Sequence, residues 1–359
     1  NAMKRMMVTG ASGLMGVHVV RHILKTTDCN SIVLPVSYKH RGIQDRLGYL
    51  FSSSPDAMRR VKIVGIDLAQ PMSPVTYADF GKIDYVINCA SESHVNRSIE
   101  NPAPFIINNV SLMCNMLDWA RHAEVEKFLH ISTDEVYGPG SKHRTNKEWK
   151  DLHLPSNPYA ASKAAQEDIA LSYWRTYGVP VGIVNSMNII GETQDSEKYM
   201  AMIMKKIYKN EKVVVHFNKG DIGSRYYLHA RSLASGLMHI LEQDFPKYGE
   251  ADLPLRMHIA GEKRLNNLEL AQLVADAAGK RHSRSWPAAG PAPAIGHRQS
   301  SRCARQFPQA RRLSGPGGAR WSAHIARLPA GCRGCRCQAR QNRGRSALHV
   351  GRRVAGKHC

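Results

Sequence analysis

The sequence predicts an α/β fold: a Rossmann-type, doubly wound parallel sheet with a smaller carboxy-terminal substrate lobe. Short apolar runs alternate with amphipathic helical stretches from residue 5 to residue 280, a glycine-rich turn opens the first strand–helix unit, and the elements become shorter and less regular after about residue 190. Strands that alternate with helices of this length form a parallel sheet covered on both faces. We therefore predict a dinucleotide-binding domain, which includes the catalytic residues, over 3–190, a substrate-binding lobe over 191–280 and an anomalous basic tail over 281–359.

Six apolar runs of the first domain are predicted strands because they are short, rich in β-branched residues and bounded by turn residues. In chain order they are RMMVTG, SIVLPV, VKIVGIDL, DYVINCA, KFLHIST and VPVGIVNS. Helices are predicted between them, and the clearest cover residues 14–25, 102–123 and 158–177. The lobe is predicted around the runs KVVVHF and LRMHIAG and the helix NLELAQLVADAAGK.

Charge and cysteine content divide the chain near Lys280. The formal net charge is +21, but residues 281–359 hold 16 Arg, one Lys and no acidic residue, which leaves a net charge of +4 over residues 1–280. Five of the eight cysteines also lie in this tail. A shifted reading frame in a GC-rich gene would produce such a composition, and we favour this origin. The alternatives are a basic arm that binds nucleic acid and a metal site at CRGCRC, which has no second ligand pair.

Length and apolar patterning favour an enzyme of the cytoplasm. At 359 residues the chain is long enough to bury a sizeable core. No apolar run approaches the roughly 20 residues that span a bilayer, and no secretory signal is recognised at the amino terminus. We therefore expect no membrane partner.

The run VTGASGLMG places three glycines at three-residue spacing between the first strand and the first helix. Glycine allows the tight turn, lets the backbone approach a pyrophosphate and packs the helix against the strand. Because the pattern opens the first unit of a doubly wound sheet, it predicts dinucleotide binding. The predicted contacts in this turn are Gly10, Ser12, Gly13, Leu14, Met15 and Gly16.

The residues that follow the second and third strands bear on the choice of cofactor. The second strand should end in an acid that binds the ribose hydroxyls of NAD, but Pro35 stands there, and Lys39 and Arg41 follow. These basic side chains either receive the 2′-phosphate of NADP, which we favour slightly, or belong to a solvated loop. Asp67, with Leu68 beside it, is predicted to meet the adenine because the third strand ends there.

Tyr159 and Lys163 stand at positions i and i+4 of the run NPYAASKAA, and hence on one face of a predicted helix. At this spacing we expect the Lys ammonium to lower the pKa of the tyrosine from about 10, so that its phenolate acts as a base near neutral pH. Chance produces this pattern in many helices. Here it follows a glycine turn and the strand end IST, and the combination predicts an active site.

These motifs resemble the extended short-chain dehydrogenase/reductase family and, more narrowly, its nucleotide-sugar 4,6-dehydratases, which are NAD-dependent epimerase/dehydratase proteins. The resemblance covers residues 4 to about 280. The most specific stretch is STDEVYG, because epimerases of the family usually lack the Asp–Glu pair. The remaining matching stretches, in the family's order, are ASESHVNRSIENP, FIINNV, NPYAASKA, NSMNIIG with EKYM, and HIAGEKRLNNLELAQLV.

The resemblance implies a lyase that converts a nucleotide-diphosphate hexose to its 4-keto-6-deoxy product, with NAD or NADP tightly bound and recycled within the reaction. Tyr159, supported by Lys163, would take the proton of the C4 hydroxyl, and Thr133 would hydrogen-bond its oxygen. Glu135 would remove the C5 proton as a base. Asp134 would protonate the departing C6 hydroxyl.

Asp134 and Glu135 therefore need opposite protonation states at the same time. Neighbouring acids in unequal surroundings have separate pKa values, because burial and mutual repulsion act differently on each. Asp134 and Glu135 stand at the end of the predicted strand KFLHIST, and consecutive side chains of a strand point to opposite sides. That geometry would give each carboxyl its own surroundings.

Further residues carry over from less specific parts of the family pattern. The resemblance implies that Ala90, Ser91, Ser93 and Asn108 contact the cofactor. It implies that the residues near the nucleotide sugar are Asn188, Glu197, Lys198 and Arg225, although a surface or structural role is equally open for each. His94 would lie there too, but we favour a packing role for it. It also implies a homodimer formed through the two long helices.

The sequence departs from the family pattern at three places. Pro35 replaces the usual acid, Ile189 and Ile190 stand where Asn-Tyr is common, and the family's last segment is not recognisable after Lys280. The alternatives to a dehydratase are a 4-epimerase or a UDP-glucuronate decarboxylase of the same family. A non-catalytic protein that binds nucleic acid through the basic tail is the alternative from a different class.

Overall fold

A seven-stranded parallel sheet forms the centre of the computed structural model. The structure describes residues 4–39, 43–54, 56–139, 146–215, 217–218 and 221–280. The basic tail over 281–359 and Arg41 therefore lie outside the described residues. The predicted α/β class is confirmed.

The secondary structure follows the predicted alternation of strands and helices. The strands are β1 Met6–Thr9, β2 Ile32–Val36, β3 Val61–Gly65, β4 Tyr85–Asn88, β5 Lys127–Thr133, β6 Val181–Ser186, β7 Asn188–Ile190, β8 Phe217–Asn218, β9 Asp221–Ile222, β10 Ser224–His229, β11 Leu255–Ile259 and β12 Arg264–Asn266. The helices are α1 Leu14–Thr26, α2 Gln44–Ser53, α3 Ala57–Arg60, α4 Pro74–Phe80, α5 Val95–Glu100, α6 Pro102–His122, α7 Pro158–Tyr177, α8 Tyr199–Tyr208, α9 Ala230–Leu241 and α10 Asn267–Ala277, and a 3₁₀ helix covers Asp134–Tyr137. None of the described helices has the length and apolar character needed to cross a membrane.

The strand order of the main sheet, β11-β6-β5-β4-β1-β2-β3, places β1 between β2 and β4. From β1 the chain winds outward through β2 and β3, then returns to β4 and winds the other way through β5 and β6. In such a sheet, ligands bind beyond the carboxyl ends of the strands where the winding reverses. The turns that follow β1 and β4 meet at this point.

Apolar layers cover both faces of the main sheet. On one face α1 and α9 pack together, with Val17, Val20 and Leu237 completely buried. On the other face α6 and α7 pack together around Trp119 and Trp174. Burial of apolar surface is the dominant favourable term in folding, so these layers hold the strand ends in place.

The chain after residue 190 contributes to two structures. It forms a small sheet of β12, β10 and β7, beside which α8 and α10 pack through residues such as Ile203 and Leu270. It also supplies β11 to the edge of the main sheet and α9 to its covering layer. The predicted boundary at residue 190 therefore divides the sequence but does not divide the main sheet, which includes β11.

The run KVVVHF, around which the lobe is predicted, is in no strand over residues 212–215. Only Phe217–Asn218 pairs, antiparallel to Asp221–Ile222. The valines pack individually, since Val215 is buried whereas Val214 is half exposed. Among the described residues, the valines of the run therefore have no partner strand and contribute to the lobe through individual side chains.

Candidate active site

A cavity of about 590 Å³ lies at the carboxyl ends of β1, β4, β5 and β6. Its walls are the glycine turn, the residues after β2, β3 and β4, the start of α7 and one side of the lobe. The predicted site residues that line it are Gly10, Ser12, Gly13, Leu14, Met15, Gly16, Lys39, Asp67, Leu68, Ala90, Ser91, Ser93, Asn108, Thr133, Asp134, Glu135, Tyr159, Lys163, Asn188, Lys198 and Arg225.

The glycine turn is shaped to receive a group against its backbone. Gly10 has a φ of +68°, and a Cβ there would lie 2.9 Å from the Ala90 nitrogen. A Cβ at Gly16 would clash with the Gly10 carbonyl, because α1 packs directly on the end of β1. The first helical N–H groups of α1 open on the cavity, which suits a pyrophosphate. The residues present therefore fit a dinucleotide.

The wall after β2 and β3 contains an ion pair that the sequence did not predict. Lys39 Nζ lies 2.5 Å from Asp67 Oδ2, and Asp67 Oδ1 accepts a hydrogen bond from the Ala69 N–H at 3.1 Å. Burial alone would raise the pKa of Asp67, but Lys39 and the Ala69 N–H together lower it below its usual value. Lys39 is therefore already engaged by a carboxylate, which weakens its predicted role as a receptor for a 2′-phosphate.

Helix α7 begins beside the cavity and carries the tyrosine and the lysine. Lys163, only 3% exposed, donates to the Ile131 carbonyl at 2.8 Å and to Gln166 Oε1 at 2.7 Å. Burial lowers the pKa of Lys163 to about 7. Burial and then the Glu135 carboxylate raise the pKa of Tyr159 above its ordinary value. The predicted lowering of the tyrosine pKa is therefore not found in this structure, because Lys163 is directed to the strand β5 and to its own helix.

The acid pair lies on a 3₁₀ helix that follows the predicted strand KFLHIST, so the alternation of a strand does not separate its two side chains. Strand β5 ends at Thr133, whose hydroxyl donates to Asp134 Oδ1 at 3.3 Å and accepts the Glu135 N–H at 3.3 Å. Both carboxyl groups line the same cavity rather than opposite faces of a strand. Their surroundings still differ: burial, and then repulsion from Glu135, raises the pKa of Asp134 to about 6.

Two of the predicted substrate residues lie outside the lining of the cavity. His94 Nε2 is 3.3 Å from Glu197 Oε2, and His94 Nδ1 accepts the Arg97 N–H at 3.2 Å as the cap of α5. This geometry agrees with the packing role for His94. Asn188, Lys198 and Arg225 do line the cavity on the lobe side.

Arg46 is a lining residue that the sequence analysis missed. Its guanidinium is 1% exposed and donates to the Ser12 carbonyl at 3.2 Å, to the Thr193 carbonyl at 3.0 Å and to Asp195 Oδ1 at 3.0 Å. It thereby joins the glycine turn to the segment after β7. No local pattern marks Arg46, because its partners are about 30 and 150 residues away in the sequence.

The sequence analysis also missed a buried polar network behind β5. Asn185 donates to the Thr133 carbonyl at 3.0 Å and to Glu167 Oε1 at 2.7 Å, and it accepts from Arg256 Nε at 3.0 Å. Arg256 also pairs with Glu167. Because buried charges need partners of this kind, the network ties α7, β6 and β11 to the end of β5.

Known proteins are similar to this chain in sequence and in fold. The sequence profile of the NAD dependent epimerase/dehydratase family matches residues 6–251. The dTDP-glucose 4,6-dehydratase of Streptomyces antibioticus is 33% identical over 277 residues, which are 76% of this chain and 77% of that protein. The enzyme of the same name from Actinoplanes sp. is 30% identical over 288 residues, or 78% of this chain and 83% of that one. The crystal structure of DesIV, a dTDP-glucose 4,6-dehydratase from Streptomyces venezuelae with NAD and TYD bound, matches with a TM-score of 0.66 at 28% identity, covering 77% of this chain and 82% of its own.

Proposed function

The chain belongs to the NAD-dependent epimerase/dehydratase family, and we propose that it is a nucleotide-sugar 4,6-dehydratase whose substrate is dTDP-glucose. The observation that carries this proposal is the pair Asp134 and Glu135, which opens on the same cavity as Thr133, Tyr159 and Lys163. The similar proteins from Streptomyces and Actinoplanes bear the name of this activity. Arg225 lines the lobe side of the cavity, and its guanidinium would bind a diphosphate there.

The cofactor is NAD, as the family and the complex of DesIV with NAD indicate. When bound, NAD accepts a hydride from C4 of the sugar and returns it to C6, so the reaction has no net redox change. The glycine turn would hold its pyrophosphate, and Asp67 and Leu68 its adenosine end. The ion pair of Lys39 with Asp67 supports NAD over NADP, because a phosphate at this place would compete with the Asp67 carboxylate.

Tyr159 takes the proton of the C4 hydroxyl in the first step. The Thr133 hydroxyl, which also lines the cavity, hydrogen-bonds the C4 oxygen. Since burial holds Tyr159 protonated in the free protein, phenolate formation has to accompany the binding of substrate and cofactor. Lys163, one helical turn later on α7, stabilises the phenolate when it forms.

Glu135 and Asp134 carry out the elimination of water. The 4-keto group acidifies the C5 proton, which the Glu135 carboxylate removes. The Asp134 carboxyl, whose pKa is raised to about 6, gives its proton to the departing C6 hydroxyl. An epimerase that inverts C4, or a decarboxylase that loses the C6 carboxylate, needs no acid at the C6 hydroxyl, so the pair favours dehydration.

The homodimer and the cytoplasmic location belong to the same proposal. Ile107 on α6 and Tyr177 on α7 are large apolar residues that are 63% and 49% exposed, and a second copy packed on these helices would cover them. The cytoplasm would supply both NAD and a nucleotide sugar. Light scattering of the purified protein tests the dimer directly.

The product assay tests the reaction. The protein is incubated with NAD and either dTDP-glucose or UDP-glucose, and the product is identified by mass spectrometry and by the absorbance of 4-keto sugars in alkali. We expect loss of one water from dTDP-glucose and formation of the 4-keto-6-deoxy sugar. A C4 epimer as the sole product would reject the dehydratase and support the epimerase.

A further inference from the structure

The side-chain amide of Asn157 makes two contacts that point to different parts of the active site. Its oxygen accepts the Ala160 N–H at 2.8 Å and so caps α7. Its nitrogen donates to Glu135 Oε2 at 3.1 Å. Because only the oxygen of an amide accepts and only the nitrogen donates, the cap fixes the orientation in which the nitrogen faces Glu135.

The segment that carries Asn157 is attached to the 3₁₀ helix at a second point. The Leu154 N–H donates to the Val136 carbonyl at 2.8 Å. A Cβ at Gly138, where φ is +78°, would clash with the Leu154 carbonyl, so the two segments lie in direct contact. The position of Asn157 relative to the acid pair is therefore determined by the backbone as well as by its own side chain.

The same segment is anchored to α7 by an ion pair. His153 Nε2 lies 2.9 Å from Glu167 Oε2, and His153 Nδ1 lies 3.4 Å from Asp168 Oδ1. Hydrogen bonds to Asp168 and Glu167 raise the pKa of His153 to about 9. The imidazole is thus charged at neutral pH, and the ion pair holds the segment against the middle of α7.

We propose that Asn157 is a positioning residue that aims the Glu135 carboxylate for removal of the C5 proton. This inference rests on the proposed dehydratase function. Through its cap, the same side chain sets the distance between Glu135 and the helix that carries Tyr159 and Lys163. One residue thereby links the group that removes the C5 proton to the groups that act at C4.

The charges around Glu135 explain why such a donor is needed. Asp134 is its neighbour and repels it, the Tyr159 phenol lies within its field, and Arg225 acts on Asp134. A hydrogen bond from a neutral amide favours the ionised form of the carboxyl that accepts it. Asn157 therefore supplies a donor to the Glu135 carboxyl group, whereas the Thr133 hydroxyl contacts Asp134.

Two variants keep the cap of α7 and change the donor. Asn157→Ser retains a good N-cap residue but cannot reach Glu135 with an N–H. Asn157→Asp also retains the cap and places a carboxylate against Glu135. Ser73→Ala is the matched control, since it removes the side-chain cap of α4, and Ser73 does not line the cavity.

The first measurement follows product formation and exchange of the C5 proton with deuterated water as a function of pH. We expect Asn157→Ser to lower kcat about tenfold at pH 7 with KM nearly unchanged, and to move the acidic limb of the profile up by about one pH unit. Asn157→Asp should lower kcat about a hundredfold, because a like charge repels the base. Ser73→Ala should leave kcat and the profile unchanged. Variants of Asn157 with a wild-type profile and kcat would overturn the proposal.

A second measurement needs no substrate and so separates this inference from the proposed function. The melting temperatures of wild type, Asn157→Ser, Glu135→Gln and the double variant form a double-mutant cycle. We expect the two single effects to be non-additive, because Asn157→Ser removes the donor of this hydrogen bond and Glu135→Gln removes the charge of its acceptor. Additive effects would overturn the inference even in an active dehydratase. A wild-type protein that makes no 4-keto-6-deoxy sugar would reject the proposed function, and non-additive effects would still support the contact between Asn157 and Glu135.

Discussion

The two halves of the candidate active site are built in different ways. Tyr159 and Lys163, which we propose to act at C4, lie on the long helix α7, and Lys163 is tied to the β5 backbone and to Gln166. Asp134 and Glu135, which we propose to act at C5 and C6, lie on a one-turn 3₁₀ helix and are only partly buried. The first half is an extension of the core, whereas the second half is held by a few polar contacts.

This difference follows from the chemistry of each half. A tyrosine and a lysine that act together need a constant separation, which a helix supplies. Two acids that must differ in protonation need unequal surroundings, and the irregular turn after β5 gives them different partners: Thr133 contacts Asp134, and Asn157 contacts Glu135. The regular helix fixes the separation of Tyr159 and Lys163, and the irregular turn gives Asp134 and Glu135 different hydrogen-bond partners.

The largest expected effect is that of Tyr159→Phe, which tests whether the α7 half acts first. Without the phenol oxygen no group takes the C4 proton, so we expect both product and reduced nicotinamide absorbance to fall by at least about 10³-fold. Tyr173→Phe, on the same helix but away from the cavity, is the control and should be fully active. Reduced nicotinamide in the Tyr159 variant would contradict the order of the two halves.

Glu135→Gln tests the second half and should separate it from the first. The variant keeps the size of the side chain and loses the base, so we expect C4 oxidation to be seen as reduced nicotinamide absorbance while product release falls about 10²- to 10³-fold. Glu262→Gln, an exposed residue outside the cavity, is the control. Normal turnover in the Glu135 variant would remove this residue from its role and the distinction between the halves with it.

The α7 half was predictable from the sequence because its signals are local. The helix α7 extends over Pro158–Tyr177 as predicted, since its cap, its proline at N1 and its apolar spacing all lie in one stretch. The glycine turn was predictable for the same reason, because the positive φ of Gly10 and the close approach of Gly16 to Gly10 arise within a few residues. Hydrophobic periodicity and turn-forming residues are properties of short segments.

The acid half was predictable in composition but not in geometry. The predicted strand KFLHIST ends at Thr133 as β5 does, but the stretch DEVY has no local pattern that predicts a 3₁₀ helix. The contacts that position this half come from distant residues: Asn185 on β6 binds the Thr133 carbonyl, and Asn157 binds Glu135. Contacts of this kind depend on the assembled fold, so local patterns do not reveal them.

The smallest expected effect is that of Asp134→Asn, which tests through the free energy of unfolding whether the surroundings of Asp134 raise its pKa. The pKa of Asp134 is about 6 in the folded protein against 3.8 as its ordinary value, so the folded state binds this proton more tightly than the unfolded chain does. The stabilising contribution of the protonated carboxyl is therefore complete below pH 4 and is lost as the pH rises through 6. The loss amounts to at most about 3 kcal/mol.

The asparagine variant cannot ionise and so avoids this loss. We expect its free energy of unfolding, from denaturant titrations, to equal that of wild type near pH 4.5 within about 1 kcal/mol and to exceed it at pH 8 by up to about 3 kcal/mol. Asp252→Asn, at an exposed acid, should show no such dependence on pH. Because dehydration should also fall in the Asp134 variant, a gain in stability with a loss of activity would identify Asp134 as a group that is held protonated for its reaction at a cost to the fold. Equal stability of variant and wild type at pH 8 would mean that the pKa of Asp134 is not raised in the folded protein, and this would remove the argument that the acid half depends on unequal surroundings.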